Sequence, residues 1–500
     1  MILAILSCLA AFAAGIAVER LAVLRPAPGM SLPALPMRLA VFAVLYLFWL
    51  GIWGRPILAG TACLITVAVM TAISIRKRQL VGEPLSFSDF GLIEMIIRHP
   101  DLYYTEFLLK PPFLLGAAAF LAALGTWLWL EPAYTILSAP GSLAAIALVL
   151  AGIWLLWRAA AREPVANWFA RALPHPDPER HLARWGLLLT LVAYALRWRG
   201  QVATPYPLPA AADGSAVPAL DPDLVIAIQF ESFLDPVRFG LSDAALPGLA
   251  RARDLAFLHG PLRVPACGAF TMRTEHAVLT GLSDAALGFR AFDPYLARRG
   301  PAPASLAHAL QARGYKTLFM HPFRAGFFGR EAVVPRLGFE RLMFEDDFAG
   351  AERFGPYVSD RAMMDAILAE ADSMPGRSLI TAITMENHGP WAAGRLPDEP
   401  DPTRQYLQHI RNADEAISRL VDGLSRRTGR TLLCLFGDHP PILPGIAPTR
   451  EPETDYAVLV FEGGRPVGGG ESRRMSADAL GRLMMDLCRA PAAAEKEALA

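Results

Sequence analysis

The sequence predicts an N-terminal α-helical transmembrane bundle followed by an α/β domain with a mainly parallel central sheet. The chain of 500 residues is 53% hydrophobic, which is high for a purely soluble protein, and nearly all of its long apolar runs lie before residue 200. Beyond residue 222, short continuous apolar runs alternate with helical patterns, as is typical of strands buried on both faces of a sheet. Four of these runs end in acidic or histidine residues, which predicts a functional site at one edge of the sheet.

Charge and cysteine content exclude several classes of protein. Lys plus Arg and Asp plus Glu both number 47, so no excess of positive charge favours a nucleic-acid partner, and we predict none. The five cysteines are too few and too scattered for a disulfide framework or a cysteine-based zinc site.

The predicted membrane domain covers residues 1–199 and contains about six spans. A span needs about 20 apolar residues, and the first, third and fourth runs reach that length most clearly. We interpret the first run as an anchor and not a signal peptide, because it lacks a basic start and carries Glu19 and Arg20 near its end. The six runs are 2–24, 39–53, 57–75, 113–130, 143–157 and 185–196.

The distribution of Lys and Arg predicts the orientation of the spans. Basic residues cluster between the first and second runs, after the third run, and between the fifth and sixth. The positive-inside rule places these loops in the cytoplasm, so everything after Arg199 is extracytoplasmic. If the sixth run is only interfacial, five spans give the same exterior domain but misplace the basic loops. We therefore predict a multi-pass protein of the cell (inner) membrane with a periplasmic or otherwise extracytoplasmic catalytic domain.

Three further segments complete the predicted organisation. The amphipathic segment 92–99 suits either the membrane interface or a plain connecting helix. Residues 200–222 are rich in Pro and Ala and are predicted to form a linker. The catalytic domain is predicted over 223–490, and the Ala- and Glu-rich residues 491–500 are predicted to be a disordered tail.

Five apolar runs in the catalytic domain are predicted strands. Helical patterns at 304–313 and 406–426 lie between some of them, which indicates βαβ crossovers and a mainly parallel sheet. The predicted strands are 224–230, 316–320, 379–385, 431–436 and 456–461.

The residues that follow four of these strands predict a metal site. The first strand is followed by Glu231, the second by His321, the third by Glu386–His388 and the fourth by Asp438–His439. Ligands of open α/β sheets bind at the carboxyl ends of the strands. One polar strand end is ordinary, but four that combine carboxylates with imidazoles indicate a shared metal-binding edge.

A further segment, Cys267–Gly281, predicts a nucleophile. Small residues at its start allow a sharp turn, and the pattern that follows is helical, with Gly281 as the expected stop. Hydroxyls at the first turn of a helix, here those of Thr271 and Thr274, lie among free N–H groups at the positive end of the helix dipole. A lone Thr in this place is usually an ordinary N-cap. The predicted metal-binding edge elsewhere in the chain favours a catalytic role.

At these residues the chain resembles the lipoteichoic acid synthase-like phosphoglycerol transferases of the sulfatase/alkaline phosphatase superfamily. The resemblance covers most of residues 223–461. Over the first two hundred residues it extends only to architecture and to the loop Gly82-Glu-Pro-Leu-x-Phe-x-Asp. The segments that carry it are Ile228-Gln-Phe-Glu-Ser-Phe, Gly268-Ala-Phe-Thr-Met-Arg-Thr-Glu, Ala307–Arg330, Asn387-His-Gly-Pro-Trp and Phe436-Gly-Asp-His.

The resemblance implies a role for each matching residue. It makes Glu231, Asp438 and His439 metal ligands together with Thr271, which is also the nucleophile. Thr274 is then set aside as nucleophile, and Glu275 takes the companion position that the family fills with Glu. The substrate-binding residues that it implies are Phe328, where the family commonly has Trp, together with Arg330 and His388.

The resemblance also implies the cofactor and the reaction. One divalent cation is expected, and the family favours Mn²⁺, although Mg²⁺ and Zn²⁺ also suit such a mixed oxygen and nitrogen site. Coordination to a cation would activate the otherwise poorly nucleophilic hydroxyl of Thr271. The implied transfer moves phosphoglycerol from the membrane lipid phosphatidylglycerol to a glycan or polymer acceptor through a phosphothreonine.

Three alternatives remain open. A phosphoethanolamine transferase of the same superfamily would use the same Thr and metal, but such enzymes tend to carry several disulfides. A phosphodiesterase or sulfatase-like hydrolase is the second; the nucleophile segment lacks the Cys/Ser-x-Pro-x-Arg motif of sulfatases, and the single evident metal site disfavours phosphomonoester hydrolysis. A non-catalytic membrane scaffold is the third, and the presence of all four residues of the metal site argues against it.

Overall fold

The computed structural model describes residues 2–23, 34–93, 95, 111–133, 139–209, 217–298, 300–392, 394–449 and 451–490. The chain divides into two compact units, Met1–Thr204 and Pro205–Ala500. Most of the predicted amphipathic segment 92–99, residues 210–216 of the predicted linker and the predicted tail 491–500 lie outside the described residues.

The first unit is helical throughout its regular structure. Among the residues described, five helices are long and apolar enough to cross a membrane. This agrees with the predicted membrane location. The helices of the unit are α1 (Ile2–Glu19), α2 (Leu35–Trp53), α3 (Pro56–Val81), α4 (Pro111–Leu130), α5 (Ala139–Ala160), α6 (Glu163–Ala172), α7 (Pro178–Trp185) and α8 (Leu187–Gln201).

The sixth predicted span corresponds to α8, which has only 15 residues. A helix of that length is shorter than the about 20 residues that a perpendicular span requires. Its start is fixed by a buried ion pair, because Glu19 accepts a hydrogen bond from the backbone N–H of Leu188 at 2.7 Å and pairs with Arg38 at 2.5 Å. Whether the chain crosses the membrane five or six times stays a prediction.

The second unit is built on one sheet of ten strands. The strands of this sheet are β1 (Leu224–Phe230), β2 (Leu258–Arg263), β3 (Lys316–Met320), β4 (Arg341–Met343), β7 (Ser378–Ile383), β8 (Arg430–Gly437), β9 (Glu453–Glu462), β10 (Arg465–Pro466), β11 (Glu471–Ser472) and β12 (Met475–Ser476). A separate pair is formed by β5 (Arg353–Phe354) and β6 (Tyr357–Val358).

The strand order explains why polar strand ends meet at one edge. The sheet runs β11-β2-β9-β8-β1-β7-β3-β4, and β8, β1, β7, β3 and β4 are mutually parallel. Their carboxyl ends therefore lie along the same edge. All five predicted strands are present, and the predicted fold of an apolar helical part followed by an α/β domain is confirmed.

Two features of the sheet differ from a simple parallel arrangement. The fifth predicted strand, β9, is antiparallel to β8. It also pairs in antiparallel fashion with β2, which the sequence analysis did not identify. In β2 buried residues alternate with partly exposed ones, so it lacks the continuous apolar run that marks the central strands.

Helices cover both faces of the sheet. The two predicted helices in this unit are present as α12 and α15, with shifted ends. The helices are α9 (Pro247–Leu255), α10 (Thr271–Thr280), α11 (Asp284–Leu287), α12 (Leu306–Gln311), α13 (Arg330–Val333), α14 (Asp360–Ser373), α15 (Pro402–Leu424) and α16 (Ala477–Leu487). The apolar side of α15, including Ile410 and Ile417, packs in one cluster with Ile226 and Leu433 from the central strands.

Candidate active site

The site forms where the neighbouring strands β1 and β8 end. Phe230 is in register with Gly437, so the next residues, Glu231 and Asp438, leave the sheet side by side. Gly437 allows this close approach, because a Cβ atom there would lie 1.9 Å from the carbonyl oxygen of Phe233. The parallel register thus brings together two carboxylates that are far apart in the sequence.

Glu231, Asp438 and His439 form a compact buried group. Nε2 of His439 lies 3.3 Å from Oδ2 of Asp438 and 3.6 Å from Oε1 of Glu231. The potential ligand atoms of the three residues all lie within 4.8 Å of one another. The three residues are at most 5% exposed, so little water reaches them.

The hydrogen bonds of this group fit a cation. Nδ1 of His439 lies 3.2 Å from the carbonyl oxygen of Pro440, which can only accept, so Nδ1 carries the proton and Nε2 presents a lone pair. Oδ2 of Asp438 is buried and accepts no hydrogen bond from a described residue. Several electron-rich atoms therefore face one another, an arrangement that a divalent cation would satisfy.

The carboxylates are oriented by the turn that follows β1. Oδ1 of Asp438 accepts hydrogen bonds from the backbone N–H groups of Ser232 at 2.7 Å and of His439 at 2.8 Å. The Ser232 hydroxyl donates to Oε1 of Glu231 at 3.0 Å. Ser232 adopts a positive φ of 50°, which is uncommon for a residue other than glycine. The strained turn directs the remaining carboxylate oxygens toward the cluster.

The electrostatics of the cluster point in the same direction. Burial raises the pKa of Glu231 well above its ordinary value, and the neighbouring charge of Asp438 raises it further. Two buried carboxylates are stable together in their ionised forms only if positive charge neutralises them. The cluster therefore has the geometry of a metal site and the uncompensated negative charge that a cation would neutralise.

Thr271 is the first residue of α10 and faces this cluster. Its hydroxyl oxygen lies 3.4 Å from Nε2 of His439. The preceding residue, Phe270, has a positive φ of 66°, and Gly268 has a φ of 68°. A Cβ atom at Gly268 would lie 2.3 Å from the side chain of Ile442, so glycine is needed for this turn. The turn holds the Thr271 hydroxyl against the potential metal ligands at the start of a helix.

The other polar residues of α10 have inward partners. The Thr274 hydroxyl donates to the carbonyl oxygen of Asp438 at 2.7 Å and is fully buried. This contact gives it a structural role. Glu275 accepts hydrogen bonds from Nη2 of Arg330 at 2.8 Å and from the Tyr295 hydroxyl at 2.8 Å. Glu275 therefore links α10 to Arg330, a substrate-binding residue according to the resemblance.

Three of the five N–H donors of Arg330 already have partners within the protein. The residue is 0% exposed, and its Nε and Nη2 both bond to Oε2 of Glu275. Nη1 lies 3.2 Å from Nε2 of His321. Because a guanidinium has five N–H donors, two remain for a phosphate. The ring of Phe328 lies 5.3 Å from the Arg330 guanidinium and is half-buried, so the two predicted substrate residues are adjacent.

His388 is held in a neutral form. Its Nδ1 lies 2.6 Å from the carbonyl oxygen of Gly389, which leaves a lone pair on Nε2. Burial, partly opposed by this hydrogen bond, lowers the pKa of His388 to about 4, and the positive charges of Arg395 and Arg330 contribute to the decrease. A neutral imidazole can accept a proton, which adds to the substrate-binding role that the resemblance implies for His388.

The structure thus brings Glu231, Thr271, Asp438 and His439 into one cluster. Phe328 and Arg330 form an adjacent pair, and His388 is close enough to Arg330 for the guanidinium charge to lower the pKa of His388. Sequence reasoning missed the supporting residues, which are Ser232, Tyr295, Asn387 and Arg395. Ser232 and Asn387 lie inside the quoted motifs, but no pattern in the sequence singles out Tyr295 or Arg395.

Comparisons with known proteins place the chain in a family. The family described as Sulfatase matches residues 223–465. The "Capsular polysaccharide biosynthesis protein RkpI" of Rhizobium meliloti (strain 1021) is 30% identical over 457 residues, which cover 88% of this chain and 84% of that protein. The chain therefore belongs to the sulfatase family.

Two further relatives extend this picture. The "Putative cyclic beta-1,2-glucan modification protein" of the same organism is 31% identical over 231 residues, which cover 44% of this chain and 36% of that protein. In structure, the "Integral membrane protein lipooligosaccharide phosphoethanolamine transferase A (EptA)" of Neisseria meningitidis matches 97% of this chain and 95% of its own, with a TM-score of 0.50 and 13% identity. The structural match confirms the predicted fold over both units.

Proposed function

We propose that this protein is a membrane-anchored, metal-dependent transferase that moves a phosphoglycerol unit from phosphatidylglycerol to an extracytoplasmic glycan or polymer. The observation that carries the proposal is the position of the Thr271 hydroxyl, 3.4 Å from Nε2 of His439, beside the buried carboxylates of Glu231 and Asp438. A nucleophile at the start of a helix next to a metal-binding cluster suits attack on a phosphodiester.

The residues of the site fall into metal ligands, a nucleophile and substrate-binding groups. Glu231, Asp438 and His439 would hold one divalent cation, with Mn²⁺ favoured by the family resemblance and with Mg²⁺ and Zn²⁺ also compatible. When bound, the cation lowers the pKa of a coordinated hydroxyl and neutralises charge on the phosphoryl group. Thr271 supplies that hydroxyl. Arg330 offers two remaining N–H donors to phosphate oxygens, and Phe328 lies beside it at the substrate-binding position.

The transfer takes two balanced steps. In the first, the Thr271 oxygen forms a bond to phosphorus and loses its proton, while the bond from phosphorus to the diacylglycerol oxygen breaks and that oxygen gains a proton. In the second, the oxygen of an acceptor hydroxyl forms a bond to phosphorus and loses its proton, while the bond from phosphorus to the Thr271 oxygen breaks and that oxygen regains a proton. His388, neutral with a lone pair on Nε2, is suited to accept the proton of an attacking hydroxyl.

The acceptor class is supported by the curated relatives. One is named for capsular polysaccharide biosynthesis and the other for cyclic β-1,2-glucan modification. Both names concern polysaccharides, so we propose a glycan acceptor hydroxyl. The location follows from the same reaction, because a phospholipid donor and a glycan acceptor meet outside the cytoplasm at the membrane. The proposed orientation places the second unit on the extracytoplasmic side, in line with the basic loops of the first unit.

The experiment that tests this function measures lipid turnover by the purified full-length protein in detergent. Mixed micelles contain phosphatidylglycerol or phosphatidylethanolamine, with Mn²⁺, Mg²⁺, Zn²⁺ or chelator. We expect metal-dependent release of diacylglycerol from phosphatidylglycerol and its loss in Thr271→Ala. Turnover of phosphatidylethanolamine alone would replace this donor with that of a phosphoethanolamine transferase. Metal-independent turnover, or none with either lipid, would overturn the proposal.

A further inference from the structure

One arginine holds together the loop that carries His388. Nη2 of Arg395 donates to the carbonyl oxygen of Glu386 at 2.7 Å, and Nη1 donates to the carbonyl oxygen of Pro390 at 3.1 Å. Nη1 also donates to the carbonyl oxygen of His388. A single guanidinium therefore contacts carbonyl groups on both sides of His388 and that of His388 itself. Its planar fork of donors suits this task, whereas a lysine ammonium could not reach the same set of acceptors in one plane.

The rest of the loop is tied to the metal-binding cluster. The Asn387 amide donates to the carbonyl oxygen of Glu231 at 3.3 Å, and its Oδ1 accepts from Nε1 of Trp391 at 3.1 Å. Trp391 packs edge-on against Tyr406, whose hydroxyl donates to the carbonyl oxygen of Ser232 at 2.9 Å. These contacts fix Asn387 without using Arg395. The contribution of Arg395 is thus concentrated on the backbone of His388 and its neighbours.

Arg395 also has a fixed position of its own. Its guanidinium carbon lies 5.3 Å from the ring centroid of Tyr357, and the Tyr357 ring lies 6.0 Å from the ring of His388 in an edge-on arrangement. The ring of Phe327 approaches His388 from another side at 6.3 Å. The imidazole is therefore confined by two aromatic rings, while its backbone is confined by Arg395.

We propose that Arg395 is a positioning residue that acts through His388, by holding the 386–390 backbone so that Nε2 of His388 faces the reacting hydroxyl. This inference rests on the proposed function for its catalytic consequence, but the structural part stands by itself. Without the guanidinium, three carbonyl groups lose their donor and the loop can move. A displacement of about 1 Å of a catalytic group can lower a rate by about 100-fold.

A double-mutant cycle tests whether the effect passes through His388. In the full-length protein, Arg395→Ala is expected to lower kcat about 100-fold and to change KM by less than about threefold. In the His388→Ala background the same substitution should lower kcat by less than about threefold, because the group it positions is gone. Equal losses in both backgrounds would overturn the proposal.

Two further variants keep the test decisive. Arg395→Lys retains the charge and is expected to show an intermediate loss that also disappears in the His388→Ala background. Arg411→Ala is the matched control, because Arg411 is exposed and, among the residues that the structure describes, bonds only to Gln408 within its own helix. It should behave as wild type. Metal content is measured for every variant, and loss of metal from Arg395→Ala would contradict an effect through His388.

Hydrogen–deuterium exchange separates failure of this inference from failure of the proposed function. Arg395→Ala should raise exchange in peptides covering residues 386–395 and leave peptides covering Thr271–Thr280 unchanged. Unchanged exchange in 386–395 would overturn the inference whatever the activity. If the wild-type protein transfers nothing from phosphatidylglycerol, the proposed function fails, and the exchange result alone decides whether Arg395 orders the loop.

Discussion

The hydroxyl oxygen of Thr271 lies 3.4 Å from Nε2 of His439, although 168 positions separate the two residues in the chain. The parallel register of β1 and β8 places Glu231 beside Asp438, and the turn before α10 brings Thr271 onto the same cluster. Because His439 donates through Nδ1, its Nε2 presents a lone pair to the carboxylates of Glu231 and Asp438, which are also acceptors. We therefore expect this cluster to bind a divalent cation.

Binding of a divalent metal should stabilise the protein and should depend on Asp438. A cation at 100 times its Kd stabilises the folded state by about 2.7 kcal/mol, which raises the unfolding midpoint by roughly 5–10 °C for a domain of this size. We expect this rise on adding Mn²⁺ to chelator-treated wild-type protein and its absence in Asp438→Asn. Thermal unfolding of the full-length protein in detergent measures both.

Asp438→Asn should not destabilise the metal-free protein. Asn retains an oxygen that can accept from the backbone N–H groups of Ser232 and His439. It removes the Asp438 charge, which together with burial, the larger cause, raises the pKa of Glu231. Asp438→Asn should therefore unfold at the same temperature as metal-free wild type or higher. A lower midpoint without metal would show that the carboxylate is satisfied by other groups.

The buried pair of Glu275 and Arg330 should be strongly coupled. Both side chains are at most 2% exposed, and removing one partner leaves an uncompensated buried charge. We expect Glu275→Gln to lower the free energy of unfolding by roughly 3–5 kcal/mol, as measured by chemical denaturation. The Arg330→Gln substitution should lower the free energy of unfolding less in the Glu275→Gln variant than in the wild-type protein.

A second ion pair provides the control for that experiment. Arg341 and Glu370 pair at 2.5 Å, but the Arg341 side chain is 54% exposed. Solvent screens such a pair, so Glu370→Gln should change the free energy of unfolding by less than about 1 kcal/mol. If the Glu275 and Glu370 substitutions had similar costs, the interpretation of the buried pair would be wrong.

Acid should destabilise the protein partly through His276. Burial, aided by the charge of Arg290, lowers the pKa of His276 to about 3 in the folded protein. Between the pKa of an unfolded His and this value, the unfolded state binds more protons, so stability falls as pH falls. From pH 7.5 to pH 5 the expected loss is about 2 kcal/mol.

Comparing the wild-type protein with His276→Gln isolates the contribution of His276 to the loss of stability at low pH. Carboxyl groups with raised pKa values, such as buried Asp360 and half-buried Asp293, titrate with the opposite sign and are present in both proteins. Denaturation of wild type and His276→Gln at pH 7.5 and at pH 5 should therefore give a loss on acidification that is about 2 kcal/mol smaller in the variant. Equal losses would mean that His276 is already charged or is exposed in the folded state.

The sequence predicted those parts of the molecule that leave a periodic or local signal. Continuous apolar runs identified β1, β3, β7, β8 and β9. Of the four polar strand ends, those after β1 and β8 supply the potential metal ligands, whereas His321 pairs with Arg330 and Glu386 pairs with His409. Gly281, with a φ of 67°, ends α10 as expected. These features depend on residues that are close together in sequence or on the shared direction of neighbouring strands.

Features that depend on long-range contacts could not be predicted. The antiparallel direction of β9 is set by pairing with β2, whose alternating pattern gives little signal. The resemblance assigned Arg330 to substrate, but its pairing with Glu275 depends on where α13 packs. Arg395 lies in a loop without a periodic sequence pattern, and the three carbonyl groups that it contacts come together only in the folded chain.

The central claim is that Thr271 is the nucleophile of a phosphoglycerol transfer, and intact mass with peptide mapping tests it most directly. Full-length wild-type protein is incubated with Mn²⁺ and phosphatidylglycerol without an acceptor, quenched in acid and digested, with Thr271→Ser and Thr271→Ala alongside. We expect a glycerophosphate adduct on the peptide that contains Thr271, less of it in Thr271→Ser and none in Thr271→Ala. Turnover by Thr271→Ala should fall by at least ~10³-fold. An adduct that persists in Thr271→Ala, or one that maps to another residue, would show that Thr271 is not the nucleophile.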